Sequence, residues 1–181
     1  TKAMTSAGWC TIESDPAVFS EMMERFGVKG VQAEEIISLD PEMLQMLTQP
    51  IKGLILLFKW KGKKVERNVV PDANVFFAKQ VVHNACATQA IVNILLNHTD
   101  TIQVGETLSN LHSFTAEMDS QTRGEMIGQT DVLRDVHNSF ARQTVFSFED
   151  QQAKEDDDVY HFITYVHKDG VVWELDGLQE G

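Results

Sequence analysis

Cysteine is scarce in this 181-residue chain. Cys10 and Cys86 are the only two, far apart, in no CxxC pair and in no Cys/His spacing of the zinc-binding kind. That excludes a disulfide framework and a structural metal, and it points to a reducing compartment. Basic side chains are few as well: 15 Lys and Arg stand against 27 Asp and Glu, for a net charge of −12 and a sequence pI near 4.8. Neutralising phosphates takes clustered Lys and Arg, so nucleic acid is a poor partner and a protein with a basic surface a better one. No run approaches the ~18 apolar residues that a bilayer crossing requires. Nothing ahead of the first helical segment has signal-peptide character. A membrane is therefore not an expected partner, and the expected location is the cytoplasm and nucleus. The length suits one domain with one core, and no internal repeat is visible.

Several elements are legible. Asp15-Pro16 precedes Val18, Phe19, Met22, Met23 and Phe26 on one face, with Gly27 behind them. An N-cap, a first-turn proline and a C′ glycine predict a helix there. Asp40-Pro41 opens a short turn of helix through Leu47. From Gly53 to Trp60 the apolar run is continuous and β-compatible, which predicts a buried strand. The lysines of Lys59 to Lys64 read as a strand end and a solvated loop. Thr107–Met118 and Thr130–Phe140 are expected outer helices, with Leu108, Leu111, Val132, Leu133, Val136 and Phe140 at three- and four-residue spacing. Val145–Phe148 reads as a short strand. Glu149–Asp158, where Lys154 alone opposes the acids, reads as an exposed acidic loop.

Chemistry gathers around Cys86, which opens the apolar helical run to Leu96, six residues after Gln80 at the end of the extended stretch Val75-Phe76-Phe77-Ala78. A thiol in a first helical turn meets unpaired N–H groups and the positive end of the macrodipole, which favour thiolate. Gln80 can donate to a developing oxyanion, with a backbone N–H at the helix start as second donor. Downstream, His161–His167 and Val171–Asp176 are strand-like and joined by the turn signal Lys168-Asp169-Gly170. Folding that hairpin symmetrically about Asp169 sets 161 opposite 177 and 162 opposite 176, bringing Asp176 beside His161. The exact register depends on turn type, and a one-residue offset is expected to turn the two side chains to opposite faces unless a bulge intervenes. Nucleophile, base, orienting acid and oxyanion donor are then all present. Each also has an ordinary reading. Free cysteine is usually a small core hydrophobe, and on chemistry alone Cys86 stands about even between core and catalysis. An Asp before Gly is commonly a turn residue.

The segment from Phe76 to Ala90, with Ala78-Lys79-Gln80 and Asn84-Ala85-Cys86-Ala87-Thr88-Gln89-Ala90, resembles the active-site segment of the ubiquitin C-terminal hydrolases. These are cysteine peptidases of papain-like catalytic arrangement. The likeness continues in Trp9-Cys10 with Glu13-Ser14-Asp15-Pro16, Gly53–Trp60, Val136–Gln143, Tyr160-His161-Phe162 and Glu174–Leu178, so that it spans Trp9 to Gly181. Within the family the chain is most similar to the proteasome-associated member. Residues 1–8 are expected to be a short remnant and N-terminal segment with Met4 as the native start. Residues 9–181 are expected to form the catalytic domain without its last helix and strand.

The resemblance implies an α/β fold: a papain-like cysteine hydrolase core, with a central, mainly antiparallel sheet flanked by helices and a knotted backbone. It implies a deubiquitinating thiol hydrolase acting at the C-terminal glycine of ubiquitin through a thioester. Cys86 would be the nucleophile, His161 the base, Asp176 its orienting partner and Gln80 the oxyanion donor. His83, three residues from Cys86, is a decoy that the family pattern does not use. His98, His112, His137 and His167 suit ordinary structural roles. The loop before the catalytic histidine, about Ser147 to Asp158, would cross the active site. Phe148, Asp157 and Asp158 would meet substrate there, the acids serving the basic tail of ubiquitin, although solvation of a flexible loop explains their abundance about as well. Trp9 would pack on bound ubiquitin or, the favoured reading, anchor the chain to the core. Asn84 would cap the catalytic helix and is grouped with Trp9, Phe148, Asp157 and Asp158 as a substrate-side residue. Ubiquitin and its conjugates are the implied partners, with a proteasomal receptor reached only through a C-terminal tail outside this sequence. No cofactor or metal is implied. The rival reading is a catalytically silent ubiquitin-binding module, and another papain-like enzyme, such as an acyltransferase, is a third.

Overall fold

In the computed structural model, which describes residues 8–59, 67–70, 74–82, 84–141 and 160–179, helices precede and separate the strands of one sheet. The order is α1 (Pro16–Arg25), α2 (Pro41–Leu44), β1 (Gly53–Lys59), α3 (Cys86–Leu95), α4 (Gly105–Phe114), α5 (Ser120–Gln129), α6 (Asp131–Ser139), β2 (Tyr160–Lys168) and β3 (Val171–Leu175). The described strands are all antiparallel, in the order β1-β2-β3. This is the expected antiparallel sheet flanked by helices.

Local chemistry explains the elements that were legible. Asp15 accepts the Ala17 N–H at 2.7 Å, Pro16 fills the first turn, and Gly27 at φ +93° takes the left-handed position behind the helix. Buried Phe19, Met22 and Met23 face the core, and Phe19 meets Phe162 of β2 edge-on at 5.8 Å. Helix α2 is shorter than expected and ends at Leu44. Leu108 and Leu133 are buried on α4 and α6, whereas Val132, placed on the same apolar face by its spacing, is exposed.

Two expectations fail. The run Gly53–Lys59 is a strand but not a buried one. It pairs only with β2 among the described strands, and Leu54 and Leu56 are 40% and 43% exposed. Its alternate residues Ile55 and Leu57 pack on the core, so a continuous apolar run here marks an edge with one covered face. Helix α5 has no counterpart in the sequence reading. Its residues are mostly polar and include Gly124 and Gly128, which weaken both propensity and apolar periodicity. The overlooked signal was Asp119, which caps it by accepting the Thr122 N–H at 2.8 Å.

The hairpin register also differs by one residue. Lys168 pairs with Val171 and Thr164 with Leu175, around a two-residue turn in which Asp169 (φ +54°) and Gly170 (φ +78°) are both left-handed. That is the turn whose twist suits a tight hairpin. Carried one step past the ladder's end, it sets Ile163 opposite Asp176. Because 161 and 163 share a face, Asp176 falls on the face of His161. The symmetric three-residue turn would have put the two on opposite faces; the offset is what unites them.

The core gathers α1, α3 and one face of the sheet, with Met22, Phe26, Ile91, Leu95 and Leu108 fully enclosed. Strand β2 is buried along most of its length. Thr164 on it donates to the Ala90 carbonyl at 3.2 Å, tying the central strand to α3. The expected strand Val145–Phe148, the acidic loop Glu149–Asp158, His83 and the segment Trp60–Lys64 lie outside the described residues.

Candidate active site

Cys86 is the first residue of α3 and is half-buried, not sealed in hydrocarbon. The backbone N–H groups of Ala87, Cys86 and Phe162 draw its thiol pKa down. Phe162 follows His161 on β2, so the helix start abuts the strand that carries the imidazole. Burial pushes the thiol pKa up, and these N–H groups only partly offset it. The first-turn N–H groups act in the expected direction, toward thiolate, but desolvation outweighs them.

The residue ahead of the helix is not the expected cap. Ala85 occupies the N-cap position without a side-chain bond. Asn84, at φ +65°, donates from Nδ2 to the Trp9 carbonyl at 3.1 Å. Asn tolerates the left-handed region better than most residues, and this one turns the chain into α3 while holding the N-terminal segment.

His161 and Asp176 are both buried, and Nε2 of the imidazole donates to Oδ1 of the carboxylate at 2.7 Å. Burial raises the Asp176 pKa, but bonds from His161 and from the Leu178 N–H outweigh it, so the carboxyl is held below its ordinary value.

Gln80 sits beside the same turn. Its N–H donates to the Gly177 carbonyl at 2.8 Å, one residue from Asp176. Its Nε2 reaches the Val82 carbonyl at 3.4 Å, and its buried Oε1 has no hydrogen-bond partner among the described residues.

What delivers Gln80 there is a set of residues that the sequence reading passed over. Gln89 and Asn93 on α3 and Asn97, two residues past its end, recur every fourth residue and are all buried. Asn97 Oδ1 accepts the Phe76 N–H at 2.8 Å and its Nδ2 donates to the Phe76 carbonyl at 2.8 Å. Asn93 Oδ1 accepts the Ala78 N–H at 3.0 Å, and Gln89 donates to the Ala78 carbonyl. The amide stripe thus treats the extended stretch as a strand, pairing residues 76 and 78 and aiming the chain at Gln80. The visible signal was three amides at fourfold spacing in and just past an otherwise apolar helix.

Trp9 belongs to the core and offers no face to a partner. It is 7% exposed, donates toward the Gly128 carbonyl at 3.4 Å and packs edge-on against His137 at 4.9 Å. Its assignment to substrate gives way to the anchoring role. His137 is fully buried. Its Nε2 donates to the Cys10 carbonyl at 2.7 Å, so Nδ1 accepts the Thr88 hydroxyl at 2.8 Å. Asn138 clamps the same segment, donating to the Gly8 carbonyl at 2.9 Å and accepting the Cys10 N–H at 2.9 Å. Phe148, Asp157 and Asp158 lie outside the described residues. Among the described residues no group of three His, Cys, Asp or Glu side chains is arranged to hold a metal ion. No described helix is long and apolar enough to cross a membrane.

A thiol at a helix start, beside the strand that carries an imidazole bonded to a carboxylate just past β3, is an arrangement that fits the class of papain-like thiol hydrolases. The chain belongs to the ubiquitin carboxyl-terminal hydrolase family 1, whose pattern it matches over residues 9–181. It is 45% identical over 174 residues to ubiquitin carboxyl-terminal hydrolase isozyme L5 of Dictyostelium discoideum, covering 96% of this chain and 50% of that protein. It is 47% identical over 180 residues to ubiquitin carboxyl-terminal hydrolase ubh-4 of Caenorhabditis elegans, covering 98% of this chain and 55% of that protein. The chain thus spans about half the length of these relatives. The crystal structure of the Trichinella spiralis UCH37 catalytic domain bound to ubiquitin vinyl methyl ester superposes with a TM-score of 0.77 at 38% identity. That match covers 98% of this chain and 78% of that one.

Proposed function

We propose that this chain is the catalytic part of a deubiquitinating thiol hydrolase that cleaves amide or isopeptide bonds at the C-terminal glycine of ubiquitin. The observation that carries the reading is the buried 2.7 Å bond from His161 to Asp176, one residue from Phe162, whose backbone N–H draws the Cys86 thiol pKa down. With Nε2 given to the carboxylate, Nδ1 is the ring nitrogen that takes the thiol proton. The sulfur then attacks the glycine carbonyl carbon. The carbonyl electrons move onto oxygen, where Gln80 Nε2 and the Cys86 backbone N–H donate to it. On collapse the C–N bond breaks, His161 returns its proton to the leaving amine, and a thioester remains. Water, deprotonated by the same nitrogen, attacks the thioester and releases the sulfur.

Two further observations support ubiquitin as substrate. A relative of this fold was crystallised with a ubiquitin electrophile. Ile37, Leu39 and Met46 are 75–80% exposed, apolar side chains left open to a protein partner. Phe148, Asp157 and Asp158 remain our proposal for substrate contacts. The proteasomal receptor remains a proposed partner of a C-terminal tail, in cytoplasm and nucleus. A silent binding module has no need of a buried imidazole–carboxylate pair beside a thiol. The test is hydrolysis of a fluorogenic amide of the ubiquitin C-terminus. The wild-type protein turns it over and Cys86→Ala does not. Activity that survives the substitution contradicts the mechanism, and no wild-type activity with intact ubiquitin binding favours the silent module.

A further inference from the structure

Helix α5 turns a glycine face toward the segment that carries Gln80. A Cβ on Gly124 would stand 2.0 Å from the Lys79 carbonyl oxygen, and one on Gly128 would stand 2.5 Å from Cγ2 of Val82. The two glycines are one helical turn apart and therefore share a face. Lys79 also donates its N–H to the Ser120 carbonyl, the first residue of α5, at 2.9 Å. On the opposite flank a Cβ on Gly177 would lie 2.9 Å from both N and Cβ of Gln80. Residues 79–82 are thus gripped between α5 and the turn after β3, at distances only hydrogen side chains permit. Val82 in turn holds the Gln80 carboxamide, whose Nε2 donates to the Val82 carbonyl. The Val82 carbonyl is the one hydrogen-bond partner of the Gln80 carboxamide among the described residues, at a long 3.4 Å, and the buried Oε1 has none among them, so the amide has little besides Val82 and its close packing to set its direction.

We propose that Gly128, acting through its contact with Val82, is a positioning residue for the Gln80 carboxamide, and that α5 is the seat that sets where the oxyanion donor stands. The proposal rests on the oxyanion role given to Gln80 above. A methyl group at 128 displaces Val82, and the carbonyl that orients the Gln80 amide moves with it. Donor geometry is sensitive at this scale: a misplacement of ~1 Å costs ~10²-fold, and outright loss of one donor ~10²–10³-fold. The effect belongs to the tetrahedral intermediate. Ground-state binding of ubiquitin and alkylation of Cys86 by iodoacetamide, which forms no oxyanion, are expected to be untouched.

The experiment is a double-mutant cycle in the full chain, read as kcat and KM on the fluorogenic ubiquitin amide. Gly128→Ala is expected to lower kcat about 10–100-fold, within the penalty for losing the donor, with KM and the alkylation rate unchanged. The same substitution in a Gln80→Ala background is expected to cost nothing further. Removing the clash in Gly128→Ala/Val82→Ala restores most of the rate. Should Gly128→Ala fail to fold, Val82→Leu overfills the same contact from the other side and carries the same expectations. An equal kcat loss in the Gln80→Ala background, or no loss from either overfilling variant, overturns the proposal. If Gln80→Ala itself leaves kcat unchanged, the oxyanion role has failed, which is distinguishable from failure of the seat.

Discussion

At the scale of the residue, Asp176 does two things with one oxygen. Oδ1 accepts from His161 Nε2 at 2.7 Å and from the Leu178 N–H at 3.0 Å, so the carboxylate orients the imidazole and closes its own turn. Catalytic and turn-forming readings of this aspartate therefore do not compete. Asp176→Ala leaves the imidazole without its acceptor, and kcat on the ubiquitin amide is expected to fall by about 10²–10⁴, the range of a general acid–base contribution. Asp176→Asn, which keeps an acceptor oxygen, is expected to retain more activity; equal loss in both would argue that charge, not orientation, is what matters. The folded-state pKa of Asp176 is depressed, so its ionisation adds stability above the unfolded value of about 3.9. That contribution is lost as pH falls through the lower folded value. The melting difference between wild type and Asp176→Ala is accordingly expected at pH 7 and should shrink once pH drops below about 3.9. The sulfur needs the imidazole for a different reason: burial raises its pKa against the helix-start N–H groups, so a proton acceptor must come from β2.

At the scale of the element, α3 joins two patterns. Its apolar face, with Ile91 and Leu95, fills the core, while Gln89 and Asn93, with Asn97 just past its end, hold the extended stretch 76–78 by its backbone. Asn97→Leu orphans both backbone groups of Phe76, and a buried group left unpaired costs about 1–3 kcal/mol. We expect a lower denaturation midpoint, by chemical unfolding, with a loss above about 2 kcal/mol; a neutral outcome would mean the stretch finds other partners. Legibility followed local chemistry. Asp15-Pro16 and Gly27 delimit α1 because caps and left-handed positions act within a turn of the helix. Cys86, His161, Asp176 and Gln80 were legible as candidates because residue type and order carry them. Helix α5 was not, because its glycines are chosen for contact with Lys79 and Val82, a tertiary demand that erases the apolar rhythm. Strand β1 was misread as buried because a continuous apolar run does not say which face is covered. The hairpin register depended on left-handed Asp169 and Gly170, a choice between two turns that the same three residues allow.

At the scale of the whole molecule, buried groups of α6 tie the N-terminal segment to the catalytic helix: His137 bonds Cys10 and Thr88, the latter two residues from Cys86. Burial depresses the His137 pKa against its bond to Cys10, and desolvation likewise depresses His98 and His112. Below the ordinary imidazole value of about 6.5, the unfolded chain then binds protons that the folded chain refuses. Stability is expected to fall as pH drops from there through the folded values. His137→Gln should flatten the decline in melting temperature between about pH 7.5 and 5.5; an unchanged slope would remove His137 from this account. The central claim remains that Cys86, and not the more exposed Cys10, is the nucleophile that ubiquitin's C-terminus meets. The most direct measurement is the intact mass and peptide map of the protein after incubation with ubiquitin vinyl methyl ester. We predict one ubiquitin adduct on the Cys86 peptide, absent in Cys86→Ala. An adduct on Cys10, or labelling that persists without the Cys86 sulfur, would contradict the account.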